Sequence, residues 1–268
     1  MAVAEGPLVD AHAHAWDKTT PYVATAWKRL DYVFPVETLL ALMNRSGVSY
    51  GVIAAASLFG TYNDYTLAAL KAHGGRLRGT AIVEPTIGLP ALKAMRDGGV
   101  VGVRLQWFNL DPLPDLRRLD YRLLTNHLRD LDMHVHVNIE GGRLPQVLAP
   151  LAESGVKIVV DHFGWSDDRL DPGGHGMEAL IRSCQLGNCW VKVSSGFNFL
   201  DPQIPIDHAA RLLAEVGTDR LFWGSDAPFV GKEDSVTYER TVELFSDWVP
   251  DPAARRAIGE TAYRFYFG

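Results

Sequence analysis

Short apolar, β-branched runs recur along the chain, and each is followed by a longer stretch with helical spacing. The runs are LVDAHAH (8–14), YGVIAAAS (50–57), GTAIVEP (79–85), VVGVRLQW (100–107), MHVHVNIE (133–140), KIVVDHFG (157–164), WVKVSS (190–195) and RLFWGSDAP (220–228). Near-continuous apolar runs of this kind fit strands buried on both faces of a parallel sheet. Between them lie helix-like segments such as VETLLALMNRSG, NDYTLAALKAHGG, LDYRLLTNHLRDLD and LPQVLAPLAESG, several closing on glycine, a usual helix stop. Eight strands alternating with helices predict an α/β fold, a (β/α)8 TIM barrel forming a single domain over residues 1–268. An open doubly wound sheet is the alternative, but no GxGxxG or Walker loop follows any strand. No repeat at a solenoid period is visible. The turn-rich segment 166–176 and residues 15–35 read as long loops after strands six and one, and in a barrel both rise over the catalytic mouth.

Length changes little in this picture: 268 residues are close to the roughly 250 of one such barrel, enough to bury a core without disulfides. The net charge of −6 comes with no Lys/Arg block, which gives nucleic acid little support as a partner; a small-molecule substrate is expected. Cys184 and Cys189 lack a CxxC arrangement and read as free thiols in a reducing compartment. The N-terminal MAVAEGPLVDAHAH has no basic region ahead of a long apolar one. No apolar run approaches the ~18 residues that a membrane helix needs. A cytoplasmic protein is expected, as a monomer or a homodimer.

In a barrel, catalytic groups stand at the C-terminal ends of the strands, and the unusual polar residues fall there. Strand one ends in His12 and His14, strand two at Ser57, strand three at Glu84; strand four carries Arg104. Strand five carries His134, His136 and Asn138; strands six, seven and eight end in Asp161-His162, Ser194-Ser195 and Ser225-Asp226. Each alone has a plain explanation: a hydrogen-bonded structural histidine, an aspartate capping the turn before Ala227-Pro228, an Arg104–Glu84 ion pair. Together, two histidines on strand one, a third on strand six and a carboxylate on strand eight converge on one mouth. Burying so many polar groups without purpose is costly, and neutral imidazoles with a carboxylate suit a divalent metal such as zinc. His73, His127 and His208 read as surface residues and His175 as a loop residue.

DAHAH on strand one, DHFG on strand six and WGSDAP on strand eight resemble the amidohydrolase superfamily (the amidohydrolase-related family). The resemblance is strongest to the branch of 2-pyrone-4,6-dicarboxylate lactonase and related lactonases, and it runs along nearly the whole chain through ASLFGTYND, VEP, GVRLQ and HVHVNIEGGRLPQV. It implies a hydrolase that opens a lactone or similar cyclic ester. Asp226 would be the general base on water, and His12, His14 and His162 would polarise the carbonyl. The same four residues, His12, His14, His162 and Asp226, would hold one divalent ion, zinc or manganese. The branch includes lactonases that work without metal, so both arrangements stay open. Arg104, Ser57 and Tyr32 resemble substrate-binding positions, and Asn138 and Trp165 join them. Asn138 and Arg104 stand where metal-dependent members have a strand-five histidine and a bridging Lys or Glu, so a binuclear centre is not implied. His136, two residues earlier on the same face, should sit deeper. Trp165, SSGFNF (194–199) and FNLDP (108–112) replace arginine-bearing segments, which weakens the fit to a dicarboxylate. Trp107, Phe108, Phe163, Trp165, Phe197 and Phe229 would instead make an aromatic pocket. The alternatives are a metal-dependent decarboxylase acting on an aromatic or unsaturated carboxylic acid, and an inactive barrel that only binds. The intact histidine and aspartate set opposes the last.

Overall fold

The computed structural model describes residues 7–268. Residues 1–6, part of the stretch read for a targeting sequence, lie outside the described residues. Eight strands run β1 Val9–Ala13, β2 Tyr50–Ile53, β3 Leu77–Ala81, β4 Val100–Gln106, β5 His134–Asn138, β6 Lys157–Val160, β7 Cys189–Ser194 and β8 Leu221–Gly224. Each pairs in parallel with the next, in the order β1 to β8. The ring closes at the strand ends: Ala13 bridges Ala227, His14 N donates to Ala227 O (2.8 Å) and Asp226 N donates to His12 O (2.7 Å). Gly224 permits that approach, because a methyl group there would stand 2.6 Å from His12 Cβ. The architecture is the barrel that the hydrophobic pattern predicts.

Helices α1 Val36–Arg45, α2 Asp64–His73, α3 Leu89–Asp97, α4 Leu119–Asp130, α5 Leu144–Ser154, α6 His175–Gln185, α7 Gln203–Glu215 and α8 Tyr238–Trp248 form the outer ring, and α9 Pro252–Phe267 follows. Local chemistry sets several ends. Thr237 caps α8 by accepting from Arg240 N, Asp251 caps α9 by accepting from Ala253 N, and Gly155 ends α5 in the left-handed region at φ 72°. Helix α1 buries Val36, Leu39 and Met43, the spacing of one helical face. Packed rings of this kind make the main core between strands and helices. A smaller cluster of Val9, Ala11, Val52, Val159, Phe222, Ala262 and Tyr266 fills the N-terminal end, where α9 plugs the barrel.

Several predicted strands are longer than the observed ones. The ends of runs 50–57, 79–85, 157–164 and 220–228 leave the sheet, and short 3-10 turns at Ser57–Phe59, His162–Trp165 and Gly196–Asn198 take over the functional segments. The polar strand ends turn away from the ladder toward the mouth. The loop read over 166–176 is cut short by α6, which begins at His175. Among the described residues no helix is long and apolar enough to cross a membrane.

Candidate active site

Where strands become loops, the backbone of His162, Phe163, Trp165, Ser195, Asp226 and Phe229 has φ between 49° and 65°. This left-handed region costs non-glycine residues about 1–3 kcal/mol each, and such strain clusters at functional sites. Here it aims the side chains that follow β6, β7 and β8 at the space above the barrel.

Three of these residues, His162, Ser195 and Asp226, meet the histidines of β1 there. Asp226 Oδ1 lies 3.5 Å from His12 Nε2 and 3.4 Å from His14 Nε2. Its Oδ2 accepts from Ser195 Oγ at 2.6 Å, and Ser195 Oγ in turn accepts from Asn198 Nδ2 at 2.7 Å. His162 completes the group: a nitrogen of His12, a nitrogen of His162 and an oxygen of Asp226 lie within 4.8 Å of one another. His14 Nδ1 is 2.8 Å from Ala54 O. A carbonyl only accepts, so His14 carries its proton there and turns Nε2 toward Asp226. His162 Nδ1 is fixed by Ser194 Oγ at 2.9 Å.

The residues fit one divalent ion. His12 Nε2 is a buried nitrogen without a hydrogen-bond partner, which is unusual for a buried polar atom. Ligands ~2.0–2.1 Å from a tetrahedral zinc lie ~3.3 Å apart, close to the 3.4 and 3.5 Å that separate Asp226 Oδ1 from His14 and His12.

A second polar layer lies directly beneath. Asp161, His136, Lys192 and His12 are fully buried and Arg104 is 4% exposed. Lys192 Nζ stands 3.1 Å from His12 Nδ1, 3.0 Å from His136 Nε2 and 3.5 Å from Asp161 Oδ1. Asp161 Oδ1 also meets His12 Nδ1 (3.0 Å) and His136 Nε2, while its Oδ2 accepts from Arg104 Nη2 (2.8 Å) and Nε (3.3 Å). Behind β1, Asp10 accepts from His12 N (3.1 Å), Ser225 Oγ (2.6 Å) and Tyr238 OH (2.8 Å). That network ties the first strand to the loop carrying Asp226.

Burial lowers the affinity of His12, His136 and His162 for a proton, so they stand neutral at pH 7. Burial alone would raise the Asp226 carboxyl, but the neighbouring His162, His14 and His12 side chains reverse this and hold it below the usual carboxylate range. Burial likewise opposes ionisation of Asp161, and His136, His12, Lys192 and Arg104 together overcome it. Burial pulls the Lys192 ammonium down to about 8, with Asp161 acting in the opposite direction.

The structure therefore brings His12, His14, His162 and Asp226 together. The substrate-binding candidates are placed differently from one another. Arg104 lies below the cluster, with Nη1 on Ala55 O (2.8 Å) and the rest of its fork on Asp161; Glu84 is exposed and is not its partner. Asn138 and Trp165 are joined at the rim, Trp165 Nε1 donating to Asn138 Oδ1 at 2.7 Å, while Asn138 Nδ2 donates to Gln106 Oε1 at 2.9 Å. Ser57 opens its 3-10 turn and accepts from Trp27 Nε1 at 3.4 Å. Tyr32 donates to Glu233 Oε1 at 3.0 Å, linking the loop after β1 to the one after β8. Of the aromatic set, Phe163, Trp107 and Phe229 are core residues. Trp165 stacks edge-on near His162 (5.0 Å) and Phe108 (5.5 Å), and Phe197 meets Phe229 at 5.9 Å. His136 sits one layer below the mouth. His208 is half-buried rather than on the surface, its Nε2 against Ser166 O and its ring beside Phe163. Lys192 is the functional residue the motif pattern passed over; its signal was a lysine between Val191 and Val193 in an apolar run, in phase with Ser194.

Known proteins resemble this chain over nearly its whole length. Curated relatives include a 4-sulfomuconolactone hydrolase of Hydrogenophaga intermedia, 26% identical over 260 residues, covering 93% of this chain and 84% of the relative. A 2-pyrone-4,6-dicarboxylate hydrolase of Comamonas testosteroni is 26% identical, covering 90% and 82%. A solved structure from Acinetobacter baumannii, named as a probable 2-pyrone-4,6-dicarboxylic acid hydrolase with citric acid bound, superposes with a TM-score of 0.91 at 26% identity, covering 97% and 99%. The family profile described as amidohydrolase matches residues 9–268, from the first strand that carries the histidine pair to the last helix, and the chain belongs to the amidohydrolase family.

Proposed function

We propose that this enzyme hydrolyses a lactone or similar cyclic ester. The observation that carries the reading is the Asp226 carboxylate, held ionised at the strand ends beside the imidazoles of His12, His14 and His162; its support is that the relatives above are named as hydrolases of lactones and pyrones. Asp226 takes a proton from a water as that water's oxygen bonds to the carbonyl carbon. The carbonyl oxygen, becoming an oxyanion, is stabilised from the side of His12, His14 and His162. The ring C–O bond then breaks, and Asp226 returns its proton to the departing oxygen. Ser195 and Asn198 hold the carboxylate in its orientation. Where one divalent ion, zinc or manganese, is present, His12, His14, His162 and Asp226 would hold it and it would supply Lewis-acid polarisation of the carbonyl. Asn138, Trp165, Ser57 and Tyr32 line the approach for a small-molecule substrate, with Arg104 acting from below through Asp161. The buried free thiols Cys184 and Cys189 suit a cytoplasmic location.

The test is a panel of lactones assayed before and after chelation, with elemental analysis of the same protein. Hydrolysis of at least one lactone supports the reading. Activity that falls with the loss of one ion per chain assigns the metal to the four residues, and activity intact in metal-free protein assigns the polarisation to the histidines themselves. No lactone turned over, with a carboxylic acid decarboxylated instead, would sink it.

A further inference from the structure

The reaction above leaves one group without a task. Lys192 lies in the middle of β7, fully buried, and touches no position where substrate would stand. Its ammonium sits among two imidazole nitrogens and a carboxylate oxygen, His12 Nδ1 at 3.1 Å, His136 Nε2 at 3.0 Å and Asp161 Oδ1 at 3.5 Å. An ammonium has three donors, and three polar atoms stand within 3.5 Å of it. The same three atoms are a ligand set for a divalent cation, converging within 4.8 Å. Asp161 is pre-oriented for either cation, because Arg104 holds its other oxygen through two N–H groups.

The barrel therefore contains two stacked clusters that share His12. The outer one, with His162 and Asp226, uses Nε2; the inner one, with His136 and Asp161, uses Nδ1. We propose that Lys192 is a built-in cation occupying an otherwise complete inner metal pocket, and that it confines any exchangeable metal to the outer cluster. The ammonium stands where the inner ion would stand, and the two cannot share the space. Lys192 is thus a positioning residue that sets metal stoichiometry. This claim does not depend on which bond the enzyme cleaves.

The experiment counts metal rather than turnover. Wild type, Lys192→Met and Lys192→Met/His136→Ala are loaded with zinc, dialysed, and analysed for tightly held zinc per chain. Methionine keeps an unbranched stem of similar length without the charge. Lys192→Met is expected to hold about one zinc more than wild type, His12 releasing its ring proton to solvent so that Nε2 and Nδ1 each bind one ion, and the additional His136→Ala substitution should remove that gain, since His136 belongs only to the inner cluster. If Lys192→Met does not fold without metal, it is refolded with and without zinc; folding restored by zinc is the expected result, because an ion bound only by the folded state stabilises it. Equal zinc in wild type and Lys192→Met, a gain that survives His136→Ala, or failure to fold in both conditions overturns the proposal.

Discussion

Replacing Asp226 by asparagine removes the proposed base while keeping its shape. Asp226 Oδ2 accepts from Ser195 at 2.6 Å and Oδ1 faces His12 and His14 at 3.5 and 3.4 Å. An asparagine can turn its carbonyl oxygen to Ser195 and its amide N–H groups to the lone pair on His14 Nε2, so the loop should keep its geometry. The loss then falls on proton transfer. A positioned general base contributes ~10²–10⁴-fold, equal to ~2.7–5.5 kcal/mol of barrier. The expected outcome on the best lactone is a fall of that size in kcat, with KM within about 3-fold of wild type. The pH profile gives a second reading: the Asp226 carboxyl is held below the usual range, so it should remain ionised down to about pH 4, its ordinary value, and add no acid limb to kcat/KM above that. The assay is steady-state kinetics from pH 4.5 to 9, with far-UV circular dichroism to confirm folding. Turnover in Asp226→Asn within 10-fold of wild type (~1.4 kcal/mol) would refute the base assignment.

Two further outcomes concern the buried layers. Burial lowers the His134 imidazole to about 3, against about 6.5 in an unfolded chain. Below pH 6.5 the unfolded state therefore binds the proton and the folded state does not, so stability falls with pH. Between pH 8 and pH 5 this one group should cost about 2 kcal/mol; urea unfolding of His134→Gln should show a pH dependence smaller by that amount, and an unchanged dependence rejects the assignment. Arg104→Met strips two N–H groups from buried Asp161, and breaking one side of a buried ion pair costs about 3–5 kcal/mol. A loss under 1 kcal/mol in the same unfolding assay would show that Lys192, His12 and His136 satisfy Asp161 without Arg104.

The fold was legible because it repeats. Eight apolar runs at regular spacing leave few ways to bury both faces of each strand, and the barrel follows from that pattern. The core of the site was legible for a related reason: His12, His14, His162 and Asp226 sit in short motifs at strand ends, where a barrel places its chemistry. The loop over 166–176 stands except at its end, where Asp171 accepts from Gly176 N and Met177 N and α6 begins; the surface reading of His208 went astray because it depended on a neighbour distant in sequence. His208 is held by the Ser166 carbonyl, a contact no local window contains.

The amino-acid order by itself determined which residues face the barrel interior and which strand ends carry polar groups, since strand alternation and apolar periodicity are local properties. Tertiary structure alone decided how those polar groups share one another. Arg104 pairs with Asp161 rather than with Glu84, and Lys192 on β7 meets His12 on β1 and His136 on β5. These partnerships span 56 to 180 residues, and only closing the ring brings the interior faces of opposite strands within hydrogen-bond reach. Charges that would be ordinary in isolation must there find partners or pay the full cost of leaving water.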